Sequence, residues 1–357
     1  MLRGMSSPRP REYFTDLLNA PGPSSFESRP AAIWRARAER YGAQLQTDAY
    51  GNSFARFGSG KPRVMLAGHV DEIGLIVVHV GEGGLLHVQG IGGWDSQQLV
   101  GQRVRVLGYR GDLLGVIGKK AIHLLEPDDR KKVSRIEDLW IDIGAKDGDE
   151  ARAHVRVGDA AVIEQPPIEL LNGRLVSRAI DNRVGAYIVL EAARRAAEAG
   201  AGAELVAVAT VQEEIGHIGA LVASYGLKPD LAIAVDVTHA TDLPGVDAKR
   251  HGDVPLGSGA TLSVGSVVHR GLFGALLDTA EREGIPYRVE ANPSRTATDG
   301  DDTAKARAGV PTAVVSIPNR YMHSPNEMID PEDLEAVILL LERFLVGLNP
   351  ESRFVQP

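Results

Sequence analysis

Thr210-Val211-Gln212-Glu213-Glu214-Ile215-Gly216 follows directly on the apolar run Leu205-Val206-Ala207-Val208-Ala209. The run is too short and too rich in valine for a helix, so it reads as a buried strand, and Gly216 ends the regular structure. Acids at the carboxyl end of such a strand fall where open α/β sheets place their ligands. An isolated Glu pair is ordinarily a solvated turn. Here side chains of the same chemistry recur at other strand ends.

Working outward, an Ala-rich amphipathic helix is predicted over Arg183–Glu198, ahead of that strand. After it, Leu231-Ala232-Ile233-Ala234-Val235 reads as a second strand ending at Asp236. A helix near 271–283 and a third strand, Thr312 to Ile317, lead into Arg320-Tyr321-Met322-His323-Ser324-Pro325. A last helix, Pro331 to Leu348, closes the pattern. Upstream, residues 11–19 and 30–42 have helical spacing, and a turn cluster, Ala20-Pro21-Gly22-Pro23-Ser24-Ser25, separates them. Arg63-Val64-Met65-Leu66-Ala67-Gly68 then runs as a short strand into His69-Val70-Asp71-Glu72. From there to about Pro167 the texture changes to short Val/Leu/Ile runs punctuated by glycine, the pattern of a small all-β unit. The expected organisation is an α/β domain built from residues 1–70 and 169–357, with a β domain, 71–168, inserted into it. Trp94 and Trp140 are expected in the core of the insertion.

The 357 residues carry a net charge of −8, which argues against a nucleic-acid partner. With no cysteine in the chain, disulfides and thiolate metal sites are excluded, so any metal must be held by His, Asp and Glu. Met1 to Glu12 is rich in Arg, Pro and Ser and lacks the apolar segment of a signal peptide. No apolar run approaches the length of a membrane span. A cytoplasmic protein without a membrane partner is the expectation.

Apolar strands lead into metal-capable side chains at His69-Val70-Asp71, Glu213-Glu214, Asp236 and His323. Asp181, in Ser177-Arg178-Ala179-Ile180-Asp181-Asn182-Arg183, precedes the Ala-rich helix. These hard O and N donors suit Zn²⁺, Co²⁺ or Mn²⁺. Two His and three carboxylates exceed what one catalytic metal needs if it keeps an open position. They fit a pair of ions about 3.5–4 Å apart, sharing a carboxylate. In His69-x-Asp71 the acid is well placed to fix the tautomer of a metal-bound imidazole. His217, close to Glu214, reads either as an extra ligand or as a pocket-lining residue.

The chain resembles the tetrahedral (TET) dinuclear metallo-aminopeptidases, a family that includes glutamyl aminopeptidases and proteins labelled endoglucanases. The resemblance runs almost end to end. It is carried by Ala67-Gly68-His69-Val70-Asp71-Glu72-Ile73-Gly74, by Gly115-Val116-Ile117-Gly118 with His123-Leu124-Leu125, and by Asp142-Ile143-Gly144-Ala145. It continues in Arg178-Ala179-Ile180-Asp181-Asn182-Arg183, Thr210-Val211-Gln212-Glu213-Glu214, Asp236-Val237-Thr238 and Arg320-Tyr321-Met322-His323-Ser324-Pro325. It implies a mixed central sheet flanked by helices, as in zinc exopeptidases, with a small β-barrel-like insertion that dimerises. Dimers would build a dodecamer enclosing the active sites. Asp181 would bridge two divalent ions per subunit; His69 and Asp236 would complete one site, Glu214 and His323 the other. Glu213 would be the general base, Asp71 would orient His69, and peptides would be the substrates, shortened from the N-terminus.

The chain departs from the family pattern at His217-Ile218, where an apolar residue and Arg are usual. It departs again at Thr298-Asp299-Gly300-Asp301-Asp302, and at Ser258-Gly259-Ala260, which replaces a Gly-Pro ending. Rival readings are a metal-dependent deacylase or carboxypeptidase of N-acyl amino acids, a glycoside hydrolase with metal-independent paired carboxylates, and an inactive scaffold.

Overall fold

β-Strands whose residues are buried on both faces read as unbroken apolar runs, and such strands form the centre of the sheet here. The computed structural model describes residues 12–354, so the Arg/Pro/Ser-rich start, Met1 to Arg11, lies outside the described residues. Helices α1 (Glu12–Asn19) and α2 (Ser28–Arg40) precede a hairpin, β1 (Gln44–Thr47) and β2 (Ser53–Phe57), and then β3 (Arg63–His69). The chain next leaves the sheet for β4 (Gly74–Val80), β5 (Leu86–Ile91), β6 (Arg103–Gly108), β7 (Gly111–Gly118), β8 (Trp140–Asp142), α3 (Gly148–Arg152) and β9 (Ala160–Ile163). It returns through β10 (Ile168–Glu169), β11 (Leu175–Ser177), α4 (Ile180–Glu198), β12 (Glu204–Thr210), α5 (Ile218–Leu227) and β13 (Leu231–His239). Last come α6 (Ala248–His251), β14 (Ala260–Gly265), α7 (Arg270–Glu283), β15 (Tyr287–Asn292), α8 (Gly300–Thr303), β16 (Thr312–Asn319), β17 (Glu327–Ile329) and α9 (Pro331–Val346).

The main sheet has eight strands in the order β1-β2-β12-β3-β13-β16-β14-β15. Its middle, β12-β3-β13-β16, is parallel, while β2 and β14 join antiparallel on either side. The sheet is therefore mixed, and the expected strands at 63–68, 205–209, 231–235 and 312–317 are its four central members. One face, through Val64, Leu66, Leu205, Ala207 and Ile233, packs with α4, α9 and the N-terminal helices. The other, through Met65, Ala67, Val206 and Val208, packs with α5. Asp236 does not end its strand, contrary to expectation: β13 continues to His239, paired along β16 as far as Asn319.

Between β3 and β10, six antiparallel strands close into a barrel in the order β4-β5-β8-β7-β6-β9. Alternate residues point inward, Leu75 and Val77, Leu86 and Val88, Val104 and Val106, with Ile117 and Ile141, giving the barrel its own core. Trp94 packs at the margin of that core, and its Nε1 donates to the Gly74 carbonyl at 2.8 Å. Trp140 is not in the core: on β8 it is Ile141 that points inward, and Trp140 covers Gly118 from outside. Among the described residues no helix is long and apolar enough to cross a membrane.

A close approach sets the site. A side chain on Gly68 of β3 would stand 2.4 Å from the Gly185 backbone, and one on Gly185 would stand 2.5 Å from the Val235 carbonyl. Two glycines thus let the first turn of α4 lie directly on β3 and β13. Asn182 fastens it there, donating to the Val235 carbonyl at 2.8 Å and accepting from Gly185 N–H at 3.0 Å. Asp181 is thereby carried to the ends of the central strands.

Candidate metal centre

At the carboxyl edge of the parallel strands, side chains from five places meet around Asp181. Its Oδ1 lies 3.2 Å from His69 Nε2, and its Oδ2 lies 3.3 Å from His323 Nε2, so one carboxylate stands between two imidazoles. Asp236 Oδ1 is 4.0 Å from His69 Nε2, and Glu214 Oε2 is 3.2 Å from His323 Nε2. Two groupings result, His69-Asp181-Asp236 and Asp181-Glu214-His323, each with ligand atoms within 4.8 Å of one another and with Asp181 in common. Glu213 faces the cluster: its Oε2 is 3.6 Å from His69 Nε2.

The surroundings fix each donor. His69, the last residue of β3, is 1% exposed, and its Nδ1 lies 3.3 Å from Asp71 Oδ1. Asp71 is fully buried and also accepts from Ser24 Oγ at 2.7 Å and from the N–H groups of Glu213 and Glu214, each at 3.2 Å. One carboxylate therefore sits against the imidazole and anchors the loop bearing both glutamates, and the Asp71 carbonyl oxygen also lies 3.3 Å from His69 Nδ1. Burial opposes charge on Asp71, but His69, Ser24 and the Glu213 N–H outweigh it and hold its pKa below the usual carboxylate range.

Asp299, behind the loop, accepts from Thr210 Oγ1. Its pKa is pushed up to about 7 by burial and by the Glu213 charge. Beneath lies Arg183, fully buried, donating to the carbonyls of Leu17, Ala20 and Val70 and paired with Glu72, which Arg178 also grips. This network ties the first helix to the floor of the site.

The resemblance did not single out Glu327, which is 2% exposed. Its Oε2 accepts from the Asp181 N–H at 2.8 Å and its Oε1 from the His323 N–H at 2.9 Å. Only its nearness to His323 hinted at this in the sequence. His217 is not in either ligand grouping; its ring meets Glu213 and Asp302 instead.

The donor set fits dications. Asp181, Glu213, Asp236 and Glu327 are each less than 9% exposed, and they crowd around two imidazoles. Burial and the Asp181 charge raise the Glu214 pKa to about 7, and its Oε1 is buried with no hydrogen-bond partner. On His69 and His323 burial works against a proton. The neighbouring carboxylates outweigh it, raising His69 well above the usual imidazole range and His323 to about 11. Nitrogen and oxygen donors without sulfur, facing one another across Asp181, suit hard or borderline divalent ions.

Residues 51–340 match the family model for M42 glutamyl aminopeptidase. The lysyl aminopeptidase of Pyrococcus furiosus is 36% identical over 310 residues, 86% of this chain and 88% of its own. A crystal structure of a TET aminopeptidase from a marine sediment archaeon of the Thaumarchaeota matches with a TM-score of 0.91 at 34% identity, covering 95% of this chain and 96% of that one. The TET1 peptidase of Pyrococcus horikoshii, which can assemble into a tetrahedron or a large octahedral shell, matches with a TM-score of 0.84 at 31% identity, covering 94% of this chain and 99% of that one.

Proposed function

The chain belongs to the M42 glutamyl aminopeptidase family and is a metal-dependent peptide hydrolase; from that premise we propose that it releases N-terminal amino acids from peptides with two divalent ions and Glu213 as general base. The observation that carries this reading is Asp181, whose two carboxylate oxygens lie 3.2 and 3.3 Å from the Nε2 atoms of His69 and His323. In this reading His69, Asp181 and Asp236 hold one ion, Asp181, Glu214 and His323 hold the other, and Asp71 orients His69. The ions are Zn²⁺, Co²⁺ or Mn²⁺. Bound there, they would acidify water and polarise the scissile carbonyl, with an open position for the free α-amino group.

Glu213 stands beside the ligands without completing either group. It accepts the proton of the attacking water and returns it to the leaving amine. Its backbone N–H donates to Asp71 at 3.2 Å, which fixes the main chain from which its side chain reaches toward His69. The rest of the assembly follows the same reading, with residues 71–168 as the dimerisation domain of a dodecamer. Leu114, Val116 and Leu124, 62%, 47% and 67% exposed on the insertion, supply apolar surface for such a contact.

The test is a panel of free and N-acylated aminoacyl-p-nitroanilides, assayed after chelation and after Zn²⁺, Co²⁺ or Mn²⁺ is restored. Activity on free amines only, lost with the metal, supports an aminopeptidase. Glu213→Gln should bind metal normally while kcat falls by about 10²–10⁴-fold. Full activity in that variant removes Glu213 from its role, and cleavage of blocked substrates turns the reading toward a deacylase.

A further inference from the structure

The ring of His217 lies between two carboxylates. Its Nε2 is 3.2 Å from Glu213 Oε1, and its Nδ1 is 2.9 Å from Asp302 Oδ2. An ionised carboxylate only accepts hydrogen bonds, and a neutral imidazole donates one. With both carboxylates ionised, the two contacts are favourable together only when both ring nitrogens carry protons, so the geometry calls for an imidazolium. The electrostatics agree: the hydrogen bond to Glu213 leads the causes that outweigh partial burial and push the His217 pKa up to about 9.

The backbone makes the arrangement compact. His217 N–H and Gly216 N–H both donate to the Glu213 carbonyl, at 3.0 and 2.9 Å, so the chain turns back on itself. His217 then precedes α5 with a left-handed φ of 55°. Asp302 arrives from α8, far along the sequence, and its other oxygen is 3.4 Å from Lys305 Nζ.

The two oxygens of Glu213 are thus not equivalent. Oε1 is taken by His217, and Oε2 is turned toward His69. The last torsion of a glutamate is broad and roughly two-fold, so without a partner the carboxylate can turn. We propose that His217, itself held by Asp302, is a positioning residue that pins Glu213 Oε1 and so presents Oε2 to the attacking water. This rests on the reading of Glu213 as the base.

The position tests itself through two isosteric replacements. A glutamine amide nitrogen reaches about as far as Nε2 and keeps the donor for Glu213; an asparagine amide nitrogen matches Nδ1 and keeps only the side toward Asp302. If His217 mattered merely for its left-handed backbone, asparagine would be the better substitute, because it tolerates that conformation best. Positioning predicts the reverse. His217→Asn and His217→Ala should lose about ten- to a hundred-fold in kcat, the worth of a hydrogen bond to a charged group. KM and bound-metal content should stay near wild type, and His217→Gln should recover most of the loss. Asp302→Ala should lower kcat in the wild type and have little effect on top of His217→Gln, where the amide no longer needs it.

Kinetics on the metal-loaded variants, with metal content measured on the same samples, decide it. Wild-type kcat in His217→Ala, or His217→Asn outperforming His217→Gln, overturns the proposal. Glu213→Gln run alongside separates the two levels: if it is inactive while the His217 series is silent, positioning alone fails. If it is active, the base assignment itself fails.

Discussion

Replacing Glu327 by glutamine keeps the shape of the side chain and exchanges one acceptor for a donor. Glu327 accepts from the Asp181 N–H at 2.8 Å and the His323 N–H at 2.9 Å while only 2% exposed, so the amide must turn its NH₂ on one of them. A buried N–H left unmet costs about 1–3 kcal/mol, so about 3 kcal/mol is the most the exchange should cost. For 357 residues an unfolding entropy of about 2.1 cal/mol/K per residue makes each kcal/mol worth about 1.3 °C in Tm, which puts the largest fall at roughly 4 °C. The same change loosens a residue of each ligand grouping, and disturbing such supporting contacts lowers metal affinity about 10–100-fold. Calorimetry gives Tm with and without metal, and titration with Co²⁺ followed by visible absorption gives affinity. A lower Tm with unchanged Co²⁺ affinity would make Glu327 a structural residue only; no change in either would refute the reasoning outright.

Two further outcomes follow from the charges and from the surface. In the chelated protein, burial and Asp181 lift Glu214 from 4.5 to about 7, and the nearby carboxylates, overcoming burial, lift His323 from 6.5 to about 11. A raised pKa means that the folded state binds the extra proton, so its contribution is complete below the unfolded pKa and lost as pH rises through the folded one. Tm of the chelated protein should therefore fall between pH 5 and pH 9, and fall less with metal bound, since the ions take the place of those protons; a flat or rising Tm after chelation contradicts this. On the barrel, Leu114→Glu with Leu124→Glu should shift the particle to a smaller mass by light scattering while the metal-loaded subunit keeps its fold by circular dichroism, and an unchanged mass would move the contact elsewhere.

How much could be read from the sequence depended on what each residue faces. The strands of residues 205–209, 63–68, 231–235 and 312–317 were legible because both their faces are buried, which leaves continuous apolar runs. β1 is exposed along its whole length, and β15 is half-buried at best on the opposite edge, so neither carries an apolar pattern to find. α5 was hidden by Gly219 and Gly226, which weaken any helical reading. Trp140 was misplaced because aromatic size suggests burial, whereas the alternation along β8 gives the inside to Ile141. The side chains that surround Asp181 were recognisable as metal-capable types following apolar runs. Glu327 was not, because it acts on backbone N–H groups, and a carboxylate facing main chain looks in sequence like any surface acid. His217 was singled out for its closeness to Glu214, but its partner Asp302 is 85 residues away, and only the fold brings the two together.

The same burial that hides these acids explains why they belong with cations. Asp181, Glu213, Asp236, Asp299 and Glu327 are each less than 9% exposed, in a space where His69, His217 and His323 are the positive partners they meet. Isolated carboxylates cannot be taken out of water cheaply; they either take up protons or find positive charge. The upward pKa shifts of Glu214, Asp236 and Glu327, each led by burial, mark the first course. Dications would offer the second, because the donors already face one another across Asp181. The floor beneath is built to hold that arrangement still. Arg183 and Arg178 clamp Glu72, next to Asp71, and Arg183 reaches the carbonyls that end the first helix. A buried arginine so fully paired gives rigidity rather than reactivity, and rigidity is what donors on separate strands and loops need if they are to meet an ion together.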